Sequence, residues 1–294
     1  MKKYKKNPLQ ENIFEEYEKI TKGSGLEQVS KVMVQFGERS YSEDHKDKWH
    51  RGIGRIRKDF TQASTRTTGK ARNSLGGRAE EVALIARSFK ETRWKNGLEI
   101  GVGWGISTIW FANNLLLRKD LEETFFQTID KYYLNGEKKY SMSKMRHENI
   151  KKLQEIIPIN WDHSGIGSDK WFKDYKGSKK FHIVFIDGNH SYESTKADWL
   201  NVERILDEDC IVFFHDLSRT TQDRAYPAVA RKLFEEISVE KYEKLILNTH
   251  YRLGVLYPKD NTETATWLDK NLKDLKIEVY LANPTGPPEN KDGW

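Results

Sequence analysis

Leu98-Glu99-Ile100-Gly101-Val102-Gly103-Trp104-Gly105-Ile106-Ser107 decides the fold. An apolar run ends in three alternating glycines and passes directly into a second apolar run, Ile106 to Leu117. That order reads as strand, tight turn, helix, with the glycines permitting the turn and letting the backbone approach a ligand. The spacing is G-x-G-x-G, and no Lys-Ser/Thr pair follows it, which argues against an ATP-type phosphate loop. An acid, Glu99, sits inside the strand end.

Working outward, short apolar segments alternate with helical ones, the pattern of a parallel sheet covered on both faces. Thr124 to Ile129 is a second strand closed by Asp130, Ile159 to Ser164 a weak third, and His182 to Ile186 a fourth closed by Asp187. Cys210 to Phe214 is a fifth, closed by His215-Asp216. The expected helices are Arg78–Arg93, with Val82, Ile85, Ala86 and Phe89 on one face, then Ser141–Ile157, Ser194–Leu206 and Tyr226–Ile237. Lys244–Asn248 and Leu253–Tyr257 read as an antiparallel hairpin, Glu263–Leu275 as a last helix, and the Pro/Gly-rich end as a surface tail.

Three segments follow: residues 1–80 form a helical and basic extension, 81–260 the core, and 261–294 a C-terminal helix and tail. From Lys46 to Arg78 ten Lys/Arg stand against Asp47 and Asp59, so this stretch is +8 while the whole chain is +6. It is either a solvated face or a contact surface for phosphate or carboxylate groups. Nine Trp, thirteen Tyr and thirteen Phe exclude a disordered chain. No apolar run is long enough to span a membrane, and the basic start lacks the apolar stretch of a secretory signal. The single Cys210, inside Cys-Ile-Val-Phe-Phe, reads as a buried strand residue, and a reducing, cytoplasmic setting fits it.

Two further stretches carry chemistry. Asp130 lies about thirty residues after the Gly-rich turn, where an acid in doubly wound folds accepts from the ribose hydroxyls of a bound adenosine. Phe185-Ile186-Asp187-Gly188-Asn189-His190-Ser191-Tyr192 and Phe213-Phe214-His215-Asp216 both end strands, so both open onto one sheet edge. Two carboxylates and two imidazoles meeting there exceed what stability asks for.

These stretches resemble the class I methyltransferases, and within them the group with an Ile-Asp-Gly-x-His-x-Tyr strand end and a closing His-Asp or Asp-Asp pair. That group includes metal-dependent sugar O-methyltransferases of macrolide biosynthesis. The resemblance covers about residues 95–258. It implies a Rossmann-like, mainly parallel seven-stranded sheet with helices on both faces and an antiparallel terminal hairpin. An NAD-type domain lacks that hairpin.

The resemblance also assigns roles. Glu99, Gly101, Gly103, Trp104, Gly105 and Ser107 would shape a pocket for S-adenosylmethionine, Asp130 would meet its ribose, and Ser164-Gly165-Ile166 would lie near its adenine. Asp187 would serve donor and acceptor alike, and His190 would be the general base. Asp187, His215 and Asp216 match the metal-ligand positions, with His215 where relatives often carry an acid, so Mg²⁺, Mn²⁺ and no metal all stay open. His163, His182 and His250 read as structural.

The expected activity is O-methylation of a small, anionic or sugar-containing acceptor. The alternatives are methylation of nucleic acid through the basic stretch, an NAD-linked enzyme, and a non-catalytic protein on the same fold. A homo-oligomer stays open.

Overall fold

The computed structural model describes residues 78–103, 106–116, 118–131, 150–151, 154, 157–189, 191–217, 229–249 and 252–285. Helix α1 (Arg78–Lys90) leads into β1 (Asn96–Ile100), α2 (Ile106–Leu116), β2 (Phe125–Ile129), β3 (Trp161–Ser164) and α3 (Ser168–Asp174). Then come β4 (Phe181–Ile186), α4 (Tyr192–Glu203), β5 (Leu206–Phe214), α5 (Val229–Glu236), β6 (Tyr242–Leu247), β7 (Gly254–Pro258), α6 (Thr262–Leu275) and β8 (Val279–Ala282).

The strands form one sheet in the order β3-β2-β1-β4-β5-β7-β6-β8. The first five run parallel, while β7, inserted between β5 and β6, is antiparallel to both. This is the expected Rossmann-like arrangement with its terminal hairpin. Among the described residues the sheet has eight strands where seven were expected, because β8 pairs antiparallel with the outer edge of β6. The extra strand follows from Lys276, whose left-handed φ of 56° stops α6 and turns the β-prone Glu278-Val-Tyr-Leu-Ala back along the sheet.

Period-two alternation sends side chains to two cores. Phe126, Phe185, Ile211 and Phe213 pack with Ile85, Phe89 and Phe111 from α1 and α2, and with Leu268 and Leu272 from α6. Leu98, Ile100, Ile129, Val184, Ile186, Val212 and Phe214 face the other way, toward Trp171, Trp199 and Phe234. Phe89 stacks on Phe111 at 4.7 Å, and both meet Phe126 edge-on, which locks α1 and α2 onto the sheet. Helix α6 is tied to α1 by Arg87 Nη1 donating to Asn271 Oδ1 at 3.0 Å, so the packing runs on past residue 260.

Cys210 is buried, and burial chiefly pushes its thiol up to about 12, as befits a core residue. No helix among the described residues is long and apolar enough to cross a membrane. Most of the expected Ser141–Ile157 helix, the first turn of Tyr226–Ile237, and residues 1–77 with most of the basic stretch lie outside the described residues.

Candidate active site

Strand order fixes where a ligand can sit. From β1 the chain steps to β2 and β3 on one side, then returns across β1 to β4 and β5 on the other. The helices leaving β1 and β4 therefore diverge to opposite faces and leave a crevice beyond the carboxyl ends of those strands. Along that edge stand, in spatial order, Ser164, Asp130, Gly101, Asp187 and His215-Asp216. Backbone bonds continue the ladder to the tips: Gly101 N–H to Ile129 O and Asp187 N–H to Ile100 O, both 2.8 Å, and His215 N–H to Ile186 O, 3.0 Å.

The left half is built mainly from backbone. Gly101 has φ +95°, and a Cβ there would stand 1.9 Å from the Asp187 carbonyl oxygen, so glycine is required on both counts. Gly103, at φ +55°, has nothing among the described residues within 4 Å of its would-be Cβ. Its N–H donates to Asp130 Oδ2 at 2.6 Å, pinning the turn to the tip of β2. Beneath the turn Glu99 is fully buried, accepting from the Ser107 hydroxyl and from Thr108 Oγ1 at 2.6 Å. Burial raises its carboxyl to about 8 against the lowering pull of those two hydroxyls, with Asp187 and Asp130 adding to the rise. Glu99 and Ser107 thus clamp the turn from below, and Glu99 contributes shape with no surface of its own.

On the outer side Asp130 takes the Gly167 N–H on its carbonyl at 3.3 Å, and Lys131 bridges Ile166. Ile166 is one of few large apolar side chains exposed among the described residues, beside a half-buried Ser164 and Gly165.

The right half is built from charge. His215 is almost fully buried, its Nδ1 3.0 Å from Asp187 Oδ1 and 3.1 Å from Asp216 Oδ1. Asp216 reaches back to the ring because its backbone is left-handed, at φ 57°, a conformation that Asp tolerates better than most residues. On the far edge of the ring, Nε2 lies 3.1 Å from Glu81 Oε2. Burial alone would lower the imidazole's pKa, but the carboxylates of Asp187, Asp216 and Glu81 hold it well above the ordinary histidine value.

Asp187, His215 and Asp216 each offer a ligand atom, all within 4.8 Å of one another. Adjacent ligands of an octahedral ion with bonds near 2.1 Å stand about 3.0 Å apart, so the spacings from Nδ1 fit an ion. One nitrogen with two carboxylates suits Mn²⁺ better than Mg²⁺, which prefers oxygen alone.

Residues 98–217 match the family model described as a methyltransferase domain. The match takes in β1 to β5 and the tips that carry Gly101, Asp130, Asp187 and His215. No curated protein matches the chain. Among solved structures, the O-methyltransferase TomG from Streptomyces achromogenes, involved in tomaymycin synthesis and in complex with S-adenosylmethionine, is 15% identical. That match covers 63% of this chain and 82% of that one, with a TM-score of 0.45. The S-adenosylhomocysteine-bound Podospora anserina methyltransferase PaMTH1 is 12% identical over 88% of this chain and 100% of its own, with a TM-score of 0.47. An O-methyltransferase from Bacillus cereus, in complex with S-adenosylhomocysteine, is 13% identical over 72% and 96%, with a TM-score of 0.46.

The sheet gathers Gly101, Gly103, Asp130, Ser164, Gly165, Ile166, Asp187, His215 and Asp216 along one edge. Trp104, Gly105, His190 and His250 lie outside the described residues. His163 lies on β3, its Nδ1 2.8 Å from Thr128 Oγ1, and His182 accepts the Asn96 N–H at 3.3 Å; both hold neighbouring strands together. Glu81 is the site residue that sequence reading missed. Its signal was an acid four residues before Ile85 and eight before Phe89, on the stripe that α1 buries.

Proposed function

We propose that the chain moves a methyl group from S-adenosylmethionine to a hydroxyl of a small acceptor, a sugar or a glycosylated natural product. The observation that carries the reading is the division of one crevice at the β1/β4 switch point. A backbone-lined half on Gly101, Gly103 and Asp130 adjoins an anionic half on Asp187, His215 and Asp216.

In the first half, the turn at Gly103 receives the donor's methionine end, with Trp104 and Gly105 as further donor contacts. The Asp130 carboxylate accepts from the ribose hydroxyls, and the exposed Ile166, with Ser164 and Gly165, covers the adenine. In the second half, Asp187, His215 and Asp216 hold a divalent cation, Mn²⁺ in preference to Mg²⁺. Such a cation, when bound, lowers the pKa of a coordinated hydroxyl.

The protein's remaining work is alignment and proton removal. The acceptor oxygen gives its proton to His190 and attacks the methyl carbon. The carbon–sulfur bond breaks with its electron pair on sulfur, and S-adenosylhomocysteine leaves. His190 stands three residues beyond Asp187 in sequence. Acceptor choice belongs to residues 1–80, whose basic stretch supplies charge for an anionic group.

The test is thermal stabilisation of the full chain by S-adenosylmethionine, S-adenosylhomocysteine and NAD, then methyl transfer to a panel of sugars. Stabilisation by NAD alone would overturn the reading. In His190→Ala, turnover is expected to fall about 10²- to 10⁴-fold with donor affinity unchanged. Unchanged turnover removes His190 as the base.

A further inference from the structure

Three carboxylates surround the ring of His215 from two sides. Nδ1 faces Asp187 and Asp216, while Nε2 faces Glu81, which is 134 residues away in sequence and lies on α1, outside the matched segment. Glu81 is 1% exposed. Its second oxygen, Oε1, is also buried and accepts no hydrogen bond among the described residues, where the polar service of this carboxylate is to His215. A buried carboxylate with one partner is costly to keep for stability alone.

A neutral imidazole carries one proton and one lone pair, on opposite ring nitrogens. A proton on Nδ1 alone would leave the Nε2 lone pair facing the Glu81 carboxylate, which is repulsive. With the proton on Nε2, Glu81 accepts it, and the Nδ1 lone pair faces two anionic oxygens. That face then needs positive charge, supplied by a second ring proton when no ion is present and by the ion when one is bound.

Resting on the reading of Asp187, His215 and Asp216 as a cation centre, we propose that Glu81 is its positioning residue. By accepting the Nε2 proton it fixes the tautomer and ring orientation that turn the Nδ1 lone pair toward the ion. Carboxylate–histidine–metal arrangements act in this way, orienting the ring and raising its basicity. The consequence for this chain is that its metal centre is completed from α1. That helix joins the segment proposed to choose the acceptor to the strand carrying the Gly-rich turn.

The test is a Mn²⁺ titration of the full chain, following the electron paramagnetic resonance signal of free Mn²⁺, on wild type, Glu81→Ala and Glu81→Asp. Near-ultraviolet circular dichroism reports whether each variant keeps its packing. Wild type is expected to bind Mn²⁺, and Glu81→Ala to bind it at least ~10-fold more weakly with its packing retained. Glu81→Asp withdraws the acceptor from Nε2 without removing its charge and is expected to show the same loss, which keeps the test sharp should the alanine variant not fold. Wild-type affinity in a folded variant would overturn the role of Glu81 and leave the metal centre standing. Absence of specific Mn²⁺ binding in wild type would overturn the metal centre itself and the proposal with it.

Discussion

The two halves of the crevice are built by opposite means. The tips of β1 and β2 present mainly backbone: left-handed glycines, one N–H pinned by Asp130, and a buried acid held out of sight below. The tips of β4 and β5 present side chains, an imidazole among Asp187, Asp216 and Glu81. The contrast also runs between two buried acids. Glu99 is satisfied by hydroxyls eight and nine residues along its own chain, whereas Glu81 needs a partner at the tip of β5, 134 residues away in sequence. A surface made of backbone offers shape and neutral hydrogen bonds, and a surface made of charge offers a place for a cation or a developing alkoxide.

The seam between the halves is the place to break this comparison. Gly101→Ala would put its Cβ 1.9 Å from the Asp187 carbonyl oxygen and hold alanine at φ +95°, so both halves must shift. Overpacking and backbone strain together are expected to cost on the order of 3 kcal/mol in urea denaturation. They should also weaken S-adenosylhomocysteine and Mn²⁺ together.

Asp130→Ala is expected to separate the halves. Losing the carboxylate that holds Gly103 should weaken S-adenosylhomocysteine by about 10- to 100-fold in calorimetry, the worth of a hydrogen bond to a charged group. Mn²⁺ affinity should not move. A parallel loss of both ligands would mean that the crevice is one unit.

The smallest effect is a pH signature of Glu99. Its folded carboxyl titrates near 8, above the ordinary 4.5, so between those values the folded state binds more protons than the unfolded chain. Its contribution is therefore full below the unfolded value and declines as pH rises toward 8. Glu99→Gln is expected to flatten that decline in denaturation curves between pH 5 and 8. A slope equal to wild type would place the titration elsewhere.

How far these features were legible in the sequence follows the same division. The Gly-rich turn, Asp130 and the Ile-Asp-Gly-x-His end were readable because each strand end and its turn are contiguous in sequence. So was the terminal hairpin, whose strands are joined by a short polar segment. Strand β8 was not, since four residues after a helix carry too little periodicity to announce a strand, and pairing with β6 decides their state. Glu81 was invisible as a site residue because nothing local marks its partner.

The order of residues alone determined the alternation of strands and helices and the acids that close the strands. It did so because glycine freedom, apolar period and turn chemistry act over a few neighbouring residues. Tertiary structure alone decided which strand tips became neighbours, that His215 stands among three carboxylates, and that one of these comes from α1. Long-range electrostatics and burial depend on distances through space, and only the closed sheet sets those distances.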